Sequence, residues 1–436
     1  MNSEKIKEIL NAYNKFWTTG LIEAGIERTV LADCLRQIDT KETIVLKGIR
    51  RSGKSTLMAQ VIQHLLRSGV SPSSILRVNL DEPLFAADYS IDLLERLYRT
   101  YRESINPADR CYLFLDEIQN VPGWEQWVRG RSETENIKIF ATGSSSRVLS
   151  PEIGTKLTGR QISFTIFPLS FSEYLRFQDL DIDTEQEYRT RKPVVRKSFT
   201  DYLRYGGFPE VALKPDPEDK DLLLKHYFED IVYRDIVSRY QIRDTLTLKN
   251  LAVYLLANIG NLTSVTKLKN NFGISQDKVE NYWSALVESY LLSPLLKFSY
   301  SAKIRARAGF KVYAVDTGVR NRIAFSFSGD TGRLVENVVF NHLRQVHEEI
   351  CYETNGHETD FLVKEGTAVT RRIQVWYGDP AETEIPARES APFAKSFAAA
   401  AGGENLILTN DLEGEITIGS EKVRSLPVIK FLCGWV

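Results

Sequence analysis

The chain has 436 residues, too many for one ordinary core, so two to four domains are expected. Hydrophobic residues are 43% and charged residues 26%, a globular balance that argues against a disordered chain. The net charge of -1 gives no bulk reason to expect nucleic acid or a membrane. Cys34, Cys111, Cys351 and Cys433 lack zinc-site spacing, and the charged start MNSEKIKEIL lacks a signal core. A cytoplasmic protein with reduced thiols and no membrane partner is expected.

Residues 1 to about 40 read as helical. Five short apolar runs follow, separated by helical stretches: TIVLK (43–47), ILRVNL (75–80), CYLFLD (111–116), IKIFATG (137–143) and QISFTIF (161–167). Continuous apolar runs of this length predict strands buried on both faces, hence a parallel α/β sheet.

The stretch GIRRSGKST (48–56) lies between the first run and a helical pattern. Gly48, Gly53, Lys54 and Ser55 satisfy G-x-x-x-x-G-K-[ST], the phosphate-binding loop. Its glycines let backbone N–H groups face phosphates, so Gly48, Arg50, Arg51, Ser52, Gly53, Lys54, Ser55 and Thr56 are candidate nucleotide contacts. Lys54 reaches the β/γ-phosphates and Ser55 ligates Mg²⁺. The third run ends in Asp116-Glu117, carboxylates suited to holding Mg²⁺ and polarising an attacking water. A solvated acidic loop end is the alternative. After the fourth run, Ser144 or Ser145 is placed to sense a phosphate, unless SSS is an ordinary turn.

From about 168 to 300 the pattern is helical, without strands. Within 261–292, Ser264 and Ser275 are helix caps and Gly273 a turn, the rhythm of a helix-turn-helix. LLKFS and KVYAVD follow as a candidate wing. The second helix carries Asp277, Glu280 and Glu288 against Lys278, a poor charge set for DNA. Lys303, Arg305, Arg307 and Lys311 form a basic loop that suits a nucleic-acid backbone or is simply solvated. From about 316 the order reads helix, three strands, an alanine-rich helix (387–401) and a strand.

The ordered set GIRRSGKST, YLFLDEIQNVPGWE, ATGSSS, LTGR, FPLSFSEYL, YGGFPEV, DIVYRD, FSYS, VYAVDTG, GRLVENVVF, ETDFLVK and IQVWY resembles a bacterial and archaeal family of AAA-type ATPases. That family carries a C-terminal restriction-endonuclease-like domain of unknown function, and the resemblance covers almost the whole chain. It implies ATP hydrolysis, with Arg160 as an arginine finger or sensor; a strand-edge salt bridge is the alternative for that residue. It also implies an α/β fold: an AAA-type P-loop NTPase parallel sheet, a helical and winged-helix region, and a C-terminal restriction-endonuclease-like domain. The expected boundaries are 1–175, 176–244, 245–315 and 316–436. An active nuclease of this kind needs a third acid and a lysine beside Glu336 and Asp360. The chain places Gln374 and Trp376 there, so a degenerate nuclease fold is expected. The reading is an ATP- and Mg²⁺-dependent conformational switch acting on a protein partner, with catalytic residues Lys54, Glu117 and Arg160 and metal ligands Ser55 and Asp116. The alternative is a DNA-processing ATPase that grips DNA through loop 303–311. A homo-oligomer follows if Arg160 acts in trans.

Overall fold

The five apolar runs form β1 (Thr43–Lys47), β2 (Ile75–Asn79), β3 (Cys111–Asp116), β4 (Ile137–Gly143) and β5 (Gln161–Thr165). The computed structural model describes residues 2–106, 110–144, 160–301, 303, 308–324, 330–354, 357–378, 384–394 and 403–435. Its chain divides into two compact units, Met1–Ile166 and Phe167–Val436.

In the first unit all five strands pair in parallel, in the order β2-β3-β4-β1-β5. Alternate residues enter two separate cores. Val45, Leu113, Leu115 and Ile139 pack with Leu93, Leu97, Trp124 and Val128. Ile44, Leu46, Phe114 and Phe140 face Leu57, Val61 and Ile62 of the helix Lys54–Arg67. Both faces of β1, β3 and β4 are covered, which is why their runs carry no polar alternation. The edge strand β5 is only half-buried, and QISFT alternates polar and apolar residues, against the expectation of burial on both faces. Each buried Leu, Ile or Val contributes roughly 1.5–3 kcal/mol.

The N-terminal expectation needs correction. Helices span Ser3–Tyr13, Phe16–Thr19 and Leu31–Arg36, but the stretch 21–30 is not helical. Gly20 ends the second helix at φ 68, a left-handed conformation that glycine adopts without a Cβ clash. Asn14 then seals the edge of the sheet. Its side-chain amide donates to Arg77 O at 2.8 Å and accepts from Arg77 N at 2.7 Å, in place of a sixth strand.

The second unit opens with helices Phe171–Phe177, Glu185–Tyr205, Pro209–Leu213 and Pro217–Asp230. Pro193 lies inside the long helix, and Arg191 leaves helical dihedrals just before it (φ -106, ψ 17). Residues Ile231–Ser238, within DIVYRD and just beyond, are wound as a π-helix. The helix Thr245–Ala257 follows, then β6 (Leu262–Thr263), helices Val265–Phe272 and Gln276–Glu288, β7 (Leu292–Lys297) and β8 (Phe310–Ala314). Ser264 and Ser275 cap the two helices by accepting from Lys267 N and Lys278 N, and Gly273 turns between them at φ 62. The expectation of a strand-free 168–300 fails at β6 and β7. They pair antiparallel with β8, a partner outside their own sequence window.

The helix Thr331–Val346 and strands β9 (Glu349–Thr354), β10 (Glu358–Glu365), β11 (Ala368–Val375) and β12 (Glu404–Thr409) come next. The expected alanine-rich helix is described only as Ala387–Ser390 and a 3₁₀ turn; residues 395–402 lie outside the described residues. The sequence reading lacked β13 (Gly414–Ile418), β14 (Glu421–Pro427) and the helix Val428–Cys433. Their hairpin is polar on one face and gives a weak apolar signal. β6 to β14 join one mixed sheet of nine strands, ordered β13-β14-β12-β11-β10-β9-β7-β8-β6. β7 and β9 pair in parallel at Leu296–Cys351, so segments 245–315 and 316–436 share this sheet.

YGG and VDTG meet inside the second unit. Asp316 accepts from Gly207 N at 2.7 Å and Val319 N at 3.0 Å. A Cβ on Gly206 would lie 2.1 Å from the Asp316 carboxylate, so only glycine fits there. Burial pushes the Asp316 carboxyl up to about 6, against the pull of these N–H donors.

Candidate functional site

The phosphate loop leaves β1 at its C-terminal end, where open parallel sheets bind ligands. Gly48 has φ 145, and a Cβ there would lie 2.2 Å from Ile166 O, so the backbone of β5's exit excludes any side chain. Arg51 and Gly53 are also left-handed (φ 68 and 97), which folds the loop back on itself. Gly53 precedes the helix Lys54–Arg67, whose first N–H groups point back toward the loop. Ser55 and Thr56 lie in its first turn. Lys54 is buried and its Nζ donates to Gly48 O at 3.0 Å and Ile49 O at 2.9 Å. Ser52 is fully buried, and its Oγ has no hydrogen-bond partner among the described residues.

Arg28 supports this loop and escaped the sequence reading. It is buried, and its guanidinium donates to Ser52 O at 2.7 Å. Gln60, on the loop's own helix, holds the adjoining segment by donating to Ala24 O and Ile26 O. GIER lies in a stretch without regular periodicity, so only the fold connects Arg28 to Ser52.

Asp116 closes β3 next to the loop. Thr142, at the end of β4, donates to Asp116 Oδ1 at 2.6 Å and accepts from Glu117 N at 2.9 Å. Arg77 reaches the same aspartate at 3.8 Å. Glu117 itself is left-handed (φ 54), which turns its side chain off the strand. Gln119 Nε2 donates to Glu117 Oε2 and lies 3.5 Å from Ser144 Oγ. Burial raises the Glu117 carboxyl, but Lys54, Gln119, Arg50 and Ser144 outweigh it and hold it below the ordinary value. Glu117 is thus kept as the carboxylate. Arg50 also faces Asp81 at 3.9 Å. Ser145 lies outside the described residues. Thr142 was missed because it reads as an interior strand residue; its place directly before Gly143 at the end of the strand was the available signal.

Arg160 goes elsewhere. Its carbonyl accepts from Thr43 N, at the start of β1, and its guanidinium pairs with Glu133. The phosphate loop is at the other end of β1, roughly 13 Å along the strand at 3.3 Å per residue. Arg160 is not brought to the phosphate loop of its own chain.

The loop and its surroundings fit a nucleotide. The Gly48 cradle would be filled by any Cβ, Ser52 has an orphaned buried hydroxyl, and Lys54, Asp116 and Glu117 converge on one sheet edge. Lys54 and the loop N–H groups could hold nucleotide phosphates, and Ser55 and Asp116 could hold a divalent ion.

In the second unit, the basic-loop expectation is corrected. Lys311 is 2% exposed on β8 and unavailable to DNA. Lys303 is exposed, while Arg305 and Arg307 lie outside the described residues. In the helix Gln276–Glu288, Lys278 is bound to Asp244 at 2.6 Å. Glu336 and Asp360 are brought together, as expected, around Lys311. Burial, then the Glu336 charge, pushes Asp360 up to about 7. Gln374 is spent on the framework: Oε1 accepts from Asp360 N and Nε2 donates to Glu389. Trp376 is buried with Phe393, Ile407 and Val423, a core residue. Among the described residues no helix is long and apolar enough to cross a membrane.

Residues 40–175 match the model of an AAA domain family, and residues 196–329 match a domain of unknown function, DUF8612. An uncharacterized protein of Haemophilus influenzae is 28% identical, covering 79% of this chain and 85% of that one. The Aeropyrum pernix Orc1 protein, solved in complex with DNA, is similar at 12% identity and a TM-score of 0.33, over 71% of this chain and 95% of that one. That likeness is too slight to carry a conclusion. An uncharacterized protein of Methanocaldococcus jannaschii is 33% identical over 73% of this chain and 71% of its own length. With that identity, and with its phosphate loop inside an AAA domain, the chain belongs to the family of that archaeal protein, a family of P-loop ATPases.

Proposed function

We propose that the protein hydrolyses ATP with Mg²⁺ and uses the cycle as a conformational switch for a protein partner. The observation that carries this reading is the convergence of Lys54, Asp116, Glu117, Thr142 and Ser144 at the C-terminal edge of one parallel sheet. Bound Mg²⁺ would neutralise charge on the phosphates. Lys54 adds a charge-assisted contact to them. Glu117, held ionised, accepts a hydrogen bond from the attacking water. Thr142 holds the Asp116 carboxylate and the Glu117 backbone together, and Gln119 with Ser144 positions the Glu117 carboxylate.

The finer architecture belongs to the same proposal. Segment 176–244 acts as a helical lid and 245–315 as a winged-helix-like module. Segment 316–436 is a restriction-endonuclease-like module that has lost catalysis. The strand order β9, β10, β11, β12 behind the helix Thr331–Val346 supports the last assignment. The engagement of Gln374 and the burial of Trp376 take those two positions out of any cleavage chemistry. Arg160, half exposed and far from its own phosphate loop, is assigned to act on a neighbouring copy. DNA processing is less well supported, since Lys311 is buried and Lys278 is paired.

One experiment tests this reading: the ATPase rate of the pure protein, with and without double-stranded DNA, for the wild type and Glu117→Gln. Hydrolysis in the wild type alone, indifferent to DNA and leaving it uncut, is expected. Glu117→Gln should bind ATP without turning it over. Stimulation by DNA, or its cleavage, would promote the DNA-processing reading.

A further inference from the structure

Three carboxylates in the second unit converge on one buried ammonium. Lys311 Nζ lies 3.0 Å from Glu336 Oε1, 2.7 Å from Glu358 Oε1 and 3.3 Å from Asp360 Oδ1. The elements are independent: β8 supplies the lysine, the helix Thr331–Val346 supplies Glu336, and β10 supplies Glu358 and Asp360. The Lys311 side chain is 2% exposed, those of Glu336 and Asp360 are 15% and 10% exposed, and that of Glu358, at the mouth of the cluster, is 46% exposed. Two further donors complete the cage. Tyr313, two residues along the same face of β8, donates to Glu336 Oε1 at 2.5 Å, and Val375 N donates to Asp360 Oδ2 at 2.9 Å.

Carboxylates drawn together with little water need a cation or a bound proton, because their mutual repulsion and lost hydration are both costly. A hard divalent ion is one cation that oxygen ligands of this kind accept. An ammonium is another, and here it is covalently supplied. The ammonium and a metal ion compete for the same oxygens, and like charges a few ångströms apart repel strongly in a buried site. Among the described residues no cluster of three or more His, Cys, Asp and Glu is arranged to hold a metal ion as it stands.

We infer that the Lys311 ammonium is the resident cation of the Glu336–Glu358–Asp360 cradle, standing where these carboxylates would otherwise take a divalent ion. The cradle then works as an ionic tie between β8, β10 and the helix Thr331–Val346. Metal is excluded from it by the lysine itself, whatever occupies the Gln374 and Trp376 positions. This inference is independent of the ATPase reading, since all its residues lie in the other unit.

The test measures Mn²⁺ alone, by the loss of free-ion paramagnetic resonance signal, on nucleotide-free full-length protein. Wild type is compared with Lys311→Met. Removing the ammonium leaves facing carboxylates, so Lys311→Met/Glu358→Gln, with one less charge, is measured beside it. The expected result is Mn²⁺ binding at least roughly tenfold tighter in either folded variant than in wild type. Adding Asp360→Asn should abolish that gain, and Mn²⁺ should raise the melting temperature of the variants but not of the wild type. Wild-type Mn²⁺ binding that Asp360→Asn removes would overturn the inference. Folded variants without any gain would overturn it equally.

Discussion

Thr142 Oγ1 donates to Asp116 Oδ1 at 2.6 Å while the same oxygen accepts the Glu117 amide at 2.9 Å. One hydroxyl thus ties the Asp116 carboxylate to the Glu117 backbone, two residues with different proposed tasks, metal binding for Asp116 and water activation for Glu117. Thr142→Val keeps the shape but removes both bonds and strands a buried N–H. The expected cost is about 1–3 kcal/mol of stability, with ATP turnover reduced and ATP affinity nearly unchanged. Denaturant titration and steady-state kinetics check this; unaltered turnover would remove Thr142 from the mechanism.

Lys54→Ala deletes the buried ammonium that lies over Gly48 O and Ile49 O. ATP affinity should fall by at least roughly tenfold, since a charge-assisted phosphate contact contributes about 1.5–3 kcal/mol. Calorimetric titration with ATP and Mg²⁺ reads the change. An unchanged dissociation constant would contradict the phosphate-loop assignment.

Arg160 pairs with Glu133 and is proposed to act between chains. If it does, hydrolysis per subunit rises with protein concentration, and Arg160→Ala lowers the high-concentration rate. Mixing an excess of Lys54→Ala protein, which retains Arg160, with Arg160→Ala should restore part of the rate. A flat rate per subunit across dilution, with Arg160→Ala fully active, leaves Arg160 as the partner of Glu133 alone.

Asp316 gives a pH dependence of defined sign. Its carboxyl is raised from 3.8 to about 6 by burial, so the folded chain holds that proton more tightly than the unfolded chain does. The stabilisation is fully present below pH 3.8 and is lost as pH rises to about 6. Two pKa units correspond to roughly 3 kcal/mol. Asp316→Asn should flatten this part of the stability profile while keeping one acceptor for the Gly207 or Val319 N–H. Equal pH slopes for the two proteins between pH 4 and 6 would show that the carboxyl does not titrate there.

What the sequence determined by itself was what is local. β1, β3 and β4 coincide with their apolar runs because a strand buried on both faces shows its burial in every residue. The phosphate loop was legible because backbone wrapping requires glycine at fixed spacing, as Gly48 against Ile166 O demonstrates. Ser264 and Ser275 were readable as caps because a cap bonds within three residues. Lys311 shows the opposite case. In AKIRARAGFK it reads as one more solvated charge, although its alternation with Val312 and its shared face with Tyr313 were available as a signal. Its burial was decided by Glu336 and Asp360, 25 and 49 residues away, which only the nine-stranded sheet brings to it. Arg28 on Ser52 and Thr142 on Asp116 follow the same rule. The backbone conformation of a segment is written in its neighbours along the chain. The partner of a buried polar group is chosen across the fold, because leaving that group unpaired costs more than any local preference can offset.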